Sequence, residues 1–170
     1  EAKDLPSIGY VRQLSAEGML SLDPTIIIGE DDMGPPSVME QIKRPNVEIK
    51  IIPENHTVEG ILKKVKCVSK IIGADSDELI DTYLNPKIKK LEQQTDLEDK
   101  KKIIYILGMQ SGSPLIAGKN TSGNGLINIS GGVNPLASFD GWKPVGTESI
   151  IEAAPDLIII SERGLRGFGT

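Results

Sequence analysis

EGMLSLDP, Glu17 to Pro24, runs directly into TIII, Thr25 to Ile28, and ESIIEAAP, Glu148 to Pro155, runs into DLIII, Asp156 to Ile160. The offset from Glu17 to Glu148 and from Pro24 to Pro155 is the same, 131 residues. In each copy an acidic residue opens a short apolar helix, a proline stops it and an aliphatic strand follows. One helix-to-strand unit used twice predicts two similar α/β lobes.

A chain of 170 residues with 38% hydrophobic content is large enough to bury a core. Aromatics make up 4%, so the interior must be built from Ile, Leu and Val, as in strands buried on both faces of a parallel sheet. A net charge of -5, with no basic run free of interleaved acids, excludes a nucleic-acid binder. The single Cys67 excludes an internal disulfide, and its place in an apolar helical pattern reads as a buried structural thiol. Neither a membrane-spanning run nor a signal peptide is visible.

Moving outward from the repeat, the pattern predicts a helix over 15–22, a strand over 25–29, a helix over 35–43 and a strand over 47–52. Thr57 is placed to cap a helix carrying Val58, Ile61, Leu62, Val65, Val68 and Ile72 on one buried face, with Gly73 as its stop. Asp75 and Glu78 resemble a capping box for a second helix with Ile80, Leu84, Ile88 and Leu91, and Pro86 is expected to kink or break it. Strands are expected at 103–107, 115–117 and 157–160, and helices at 121–129 and 147–153. The resulting organisation is a first lobe over 1–56, a connecting helical segment over 57–98 and a second lobe over 99–170.

Common catalytic patterns fail. The segment from Gly112 to Asn120 superficially resembles a phosphate loop. Five residues separate Gly112 from Gly118 instead of four, and Asn120 stands where Ser or Thr should follow Lys119. Gly123 and Gly125 lack the third glycine of a dinucleotide fingerprint and read as turn formers. His56 is the sole histidine, at the entry to the connecting helix, with a solvated or capping role ahead of metal ligation. Glu30, Asp31 and Asp32 form an acidic loop after a strand that could take a cation. No nucleophile with its base is evident, and an enzyme is not expected.

LPSIGYVRQLSAEGMLSLDP (5–24), with GPPSVMEQIK (34–43), PENHTVEGILKKV (53–65), SPLIAGKNTSGNGLINISGGVNP (113–135) and GWKPVGTESIIEAAPDLIIIS (141–161), resembles the haem-binding proteins of bacterial ABC importers. The helix-proline-strand units are shared with a wider superfamily that binds cobalamin and ferric siderophores. Gly9, Tyr10 and Arg12 ahead of LSAEG are the more specific part.

The resemblance implies two Rossmann-like lobes, each incomplete here, joined by a long helical connector, with haem held between them as the transported ligand. It places the axial ligand to haem iron on Tyr10 and a support on Arg12, either to the tyrosinate or to a haem propionate. Ferric iron is a hard cation that accepts a phenolate oxygen, and tyrosinate ligation of haem has precedent. It places contacts in the second lobe at Lys119, Asn120, Thr121 and Trp142, and docking to the membrane permease at Glu17 and Glu148. Both acids also suit the first turn of a helix. An exported, periplasmic or otherwise extracytoplasmic protein is implied, meeting the membrane through the permease or a lipid anchor. Relatives carry further strand-helix units before Leu5 and after Leu165, so truncation at both ends is expected, including a Gly-rich tail from Arg163. The same scaffold carrying cobalamin or a ferric siderophore, or an inactive fragment of such a protein, is the alternative.

Overall fold

The computed structural model of the chain describes residues 4–95 and 98–165. The Gly-rich tail therefore lies largely outside the described residues. The chain divides into two compact units, Glu1–Glu54 with Lys64–Ala74, and Asn55–Lys63 with Asp75–Thr170. The segment expected as a separate connector is thus distributed between them.

In the first unit α1 (Ala16–Leu20) leads to β1 (Ile26–Glu30), and α2 (Pro36–Ile42) to β2 (Glu48–Ile52). β1 and β2 pair in parallel, Ile26 opposite Glu48 through Glu30 opposite Ile52. Ser15 opens α1 by accepting a hydrogen bond from the Gly18 N–H at 3.2 Å. Pro35 precedes α2 and Pro36 begins it, where a missing N–H costs nothing. Leu14, Ala16, Met19, Ile27 and Ile42 form the core, with Met33, Val38, Met39 and Ile49 packed against it. Gly29 lets Met33 fold over the end of β1, since a Cβ there would meet the Met33 sulfur at 2.4 Å.

α3 (Val58–Ile71) contributes its residues up to Lys63 to the second unit and its remainder to the first. Thr57 caps it as expected, its hydroxyl accepting from the Gly60 N–H at 3.0 Å, and Gly73 follows with φ +69°. Its apolar face is less covered than its periodicity predicts: Ile61 and Ile72 are exposed. Cys67 is half-buried on this helix.

The second unit continues with α4 (Asp77–Leu79), a π-helical turn over Ile80–Leu84 and α5 (Asn85–Thr95). The expected capping box is replaced by a local turn in which the Asp75 carboxylate accepts from the Asp77 N–H at 2.9 Å. The helix does not break at Pro86. The Asn85 N–H reaches back to the Ile80 carbonyl, five residues earlier, so Pro86 enters α5 where no N–H is required of it.

The sheet of this unit has the order β5-β4-β3-β6, from β3 (Ile103–Gln110), β4 (Ser113–Ala117), β5 (Trp142–Pro144) and β6 (Leu157–Ile160). β6 runs parallel to β3, but β4 pairs antiparallel with both β3 and β5. The expectation of a purely parallel sheet fails at Ser111 and Gly112. Both have positive φ, 50° and 81°, and form the two-residue turn that joins antiparallel strands. Leu107 is the extra residue of a bulge in β3, between the pairs Ile106–Ile116 and Gly108–Leu115. Ile104, Ile106 and Ile116 form the core with Leu136, Phe139, Val145, Ile150 and Ile160 around it.

α6 (Ser122–Ile129) and α7 (Thr147–Ala153) complete the unit with α8 (Glu162–Leu165). Gly123 and Gly125 lie within α6, inside the helix expected over 121–129, and do not form the turns also read for them. A Cβ on Gly123 would meet Ala117 at 2.7 Å and Trp142 at 2.9 Å, and one on Gly125 would meet His56 at 2.3 Å. Close packing demands these glycines. Among the described residues no helix is long and apolar enough to cross a membrane.

Candidate functional site

Tyr10 and Arg12 lie in the loop ahead of α1, and that loop is fastened to the turn after β1. The Gly34 N–H donates to the Val11 carbonyl at 3.0 Å, and the Leu14 N–H donates to the Gly34 carbonyl at 3.0 Å. Within the loop the Gln13 N–H closes a turn on the Tyr10 carbonyl at 2.8 Å, and in the facing turn the Met33 N–H closes on Glu30 at 3.1 Å. Gly9, with φ +96°, lets the chain enter this arrangement.

Two side chains bridge the two turns. The Arg12 Nε donates to Asp32 Oδ2 at 2.9 Å, and Nη2 lies 2.8 Å from the same oxygen. Asp32 Oδ1 is buried and, among the described residues, accepts no hydrogen bond. The Asp32 hydrogen bond is the main cause that raises the Arg12 pKa above its ordinary value. Partial burial opposes it, and the charges of Asp32, Tyr10 and Glu54 add to it. The guanidinium is therefore a fixed cation near Tyr10, whose side chain is 57% exposed. An exposed phenol oxygen is a hard donor within reach of a metal.

The acidic run after β1 is answered by the chain's own cations. Lys64 Nζ lies 2.5 Å from Glu30 and 3.2 Å from Glu54, while Asp32 is taken by Arg12. The Glu30 hydrogen bond is the first cause that raises the Lys64 pKa. Ion pairing replaces the cation site considered for Glu30, Asp31 and Asp32. The partnership of Arg12 with Asp32 escaped the sequence reading, although an acidic run directly behind a strand was its available signal.

In the second unit Lys119, Asn120, Thr121 and Trp142 are gathered at the junction of β4, β5 and α6. The Lys119 N–H donates to Phe139 at 2.7 Å, and the Asn120 amide donates to Asp140 at 2.9 Å. Thr121 is buried: its hydroxyl donates to the Gly118 carbonyl at 2.7 Å and accepts from the Asn124 N–H at 3.1 Å. It caps α6. Trp142 pairs with Ala117 on β5 and meets the Tyr105 ring edge-on at 5.9 Å, so its ring is engaged within the unit. Lys119 and Asn120 keep exposed side chains. His56 packs its backbone and Cβ against Gly125 and is half-buried, a packing role that the solvated or capping reading did not anticipate.

Glu17 and Glu148 are both exposed and both occupy the second position of their helices. Glu17 borders an open depression lined by Ala16, Leu20, Ser21, Gln41 and Arg44.

The family model for periplasmic binding proteins matches residues 1–168. The ABC transporter substrate-binding lipoprotein YvrC of Bacillus subtilis (strain 168) is 20% identical over 168 residues, covering 95% of this chain and 53% of that protein. The periplasmic heme-binding protein BhuT, solved in complex with two hemes, superposes with a TM-score of 0.86 at 30% identity, over 99% of this chain and 65% of that one. The periplasmic heme-binding protein HutB of Vibrio cholerae gives 0.81 at 30% identity, over 96% of this chain and 64% of that one. RhuT from Roseiflexus sp. RS-1, a periplasmic heme-binding protein in apo form, gives 0.86 at 29% identity, over 98% and 65%. The chain thus spans between 53% and 65% of the length of these relatives. It belongs to the periplasmic binding protein family, a family of substrate-binding transport proteins and not of enzymes.

Proposed function

We propose that this chain is part of the substrate-binding component of a haem importer, located outside the cytoplasm, and that Tyr10 is its ligand to ferric haem iron. The observation that carries this reading is the exposed Tyr10 phenol, two residues along the same loop from an Arg12 guanidinium that Asp32 fixes. A tyrosine titrates near pH 10 when free, so a phenolate ligand needs iron and a neighbouring cation to favour its charged form. Arg12, two residues from Tyr10, is the cation that Asp32 holds in this loop. Solved relatives near 30% identity that are haem-binding proteins support haem as the ligand.

Delivery to an ABC permease completes the proposal. Glu17 and Glu148, exposed at matching positions of two helices, are its docking acids. Hemin added to the protein should produce a Soret band, and Tyr10→Phe should shift or weaken it. An identical spectrum and affinity in the variant would remove Tyr10 from the site. Tighter binding of cobalamin or a ferric siderophore than of hemin, in direct competition, would replace haem as the cargo.

A further inference from the structure

We propose that Asp32 is a positioning residue of this site, fixing the Arg12 guanidinium in the orientation on which ligand binding at Tyr10 depends. The inference rests on the haem reading above and adds to it a residue twenty positions away in sequence. Arg12 belongs to an exposed loop, and an arginine there would lose considerable rotamer freedom on being ordered. Asp32 offsets that cost because its own position is set by the fold. It stands in a turn closed by the Met33 N–H on Glu30 and tied at Gly34 to both Val11 and Leu14. Two donors of Arg12 converge on one oxygen, Oδ2, which defines the angle of the guanidinium plane as well as its place.

The remaining charges favour this assignment. Glu30 and Glu54 are engaged by Lys64, so Asp32 is the acid that holds Arg12. Among the described residues Asp32 Oδ1 is buried and accepts no hydrogen bond, so the contact with Arg12 is what orients the carboxylate. A surface ion pair of ordinary kind contributes little to stability. An arrangement that leaves a carboxylate oxygen buried is better explained by what it does to the arginine than by what it adds to the fold. Asp32 also offsets the charge of Arg12 locally, so the pair serves orientation more than long-range attraction of an anionic ligand.

The test compares the wild-type chain with Arg12→Ala, Asp32→Ala and the double variant by hemin titration, and follows the Arg12 Nε–H resonance in the ligand-free protein. Asp32→Ala should weaken hemin binding roughly tenfold, as loss of a residue behind a metal ligand does. In the Arg12→Ala background the same change should have no further effect. The Arg12 Nε–H signal should be resolved in the wild type and lost in Asp32→Ala without hemin. Asp32→Asn keeps the shape of the side chain should the alanine variant fail to fold, and its smaller loss should likewise vanish without Arg12. An Asp32 effect that persists in the absence of Arg12, or an Arg12 signal indifferent to Asp32, would overturn the inference. If the Arg12 signal depends on Asp32 while the wild type takes up no hemin, the haem reading fails and the positioning of Arg12 stands.

Discussion

The segment from α1 to β1 and the segment from α7 to β6 share their local structure but not their burial. Helix starts at Ala16 and Thr147, strand starts at Ile26 and Leu157, and left-handed residues at Asp23 and Ala154, φ 47° and 43°, all keep the single offset of the repeat. Their surroundings differ. Ala16 and Met19 of α1 are buried and Ile27 of β1 is 9% exposed, whereas α7 buries no residue and Ile158, the counterpart of Ile27, is 50% exposed. Both strands pair in parallel with one neighbour, β1 with β2 and β6 with β3. Local sequence thus dictates the helix, the stop and the strand, while the faces opposite them decide what each residue contributes to stability.

The sharpest way to break this comparison is to truncate the paired isoleucines. Ile27→Ala should cost about 2–5 kcal/mol. Ile158→Ala should cost within about 1 kcal/mol. Denaturant titration measures both, and equal losses would mean that burial does not separate the two segments. Next in size is the helix entry: Ser15→Ala should cost about 1 kcal/mol by removing the acceptor for the Gly18 N–H.

The second copy offers the converse. Gly146 caps α7 without a side-chain hydrogen bond, at φ -69°, and nothing lies within 4 Å of a Cβ built there. Gly146→Ser should therefore raise stability by a few tenths of a kcal/mol, read as an increase in melting temperature. A loss would show that the cap of α7 cannot be completed.

The smallest effect is alkaline and belongs to the first unit. The folded pKa of Lys64 is raised above 10.5 by Glu30 and Glu54, so its contribution is fully present below that pH and lost as pH climbs through the folded value. Hydrogen exchange across about pH 9 to 11.5 should show protection in β1 and β2 fading faster in the wild type than in Lys64→Met. Equal fading would sever the ion pairs from stability.

Periodicity and punctuation made most elements legible, because Pro24, Pro155, Gly73 and Thr57 act through their own backbone and neighbours. Three features were not legible, for a common reason. Trp142 lies outside every strand that the pattern predicts, yet pairing with Ala117 makes it a strand. Gly123 and Gly125 read as loosening elements, yet Ala117, Trp142 and His56 require their bareness. Asp32 reads as one of three acids in a row, yet a loop brought back by Gly34 gives it Arg12. Each depends on a partner distant in the chain, which spacing alone does not reveal. For the candidate site, Tyr10 and Arg12 came from a resemblance of sequence, and their support came from the fold.

The π-helical turn over Ile80–Leu84 acts as one additional residue threaded into an otherwise regular rod. Every side chain beyond it is swung by about 100° from where an unbroken α-helix would carry it. The apolar positions Ile88 and Leu91 therefore belong to a different azimuth from Leu79, and relatives whose rod keeps the regular pitch are expected to be one residue shorter between Leu79 and Asn85. A gap of one in an alignment at this point would be a record of helical winding, not of a lost contact.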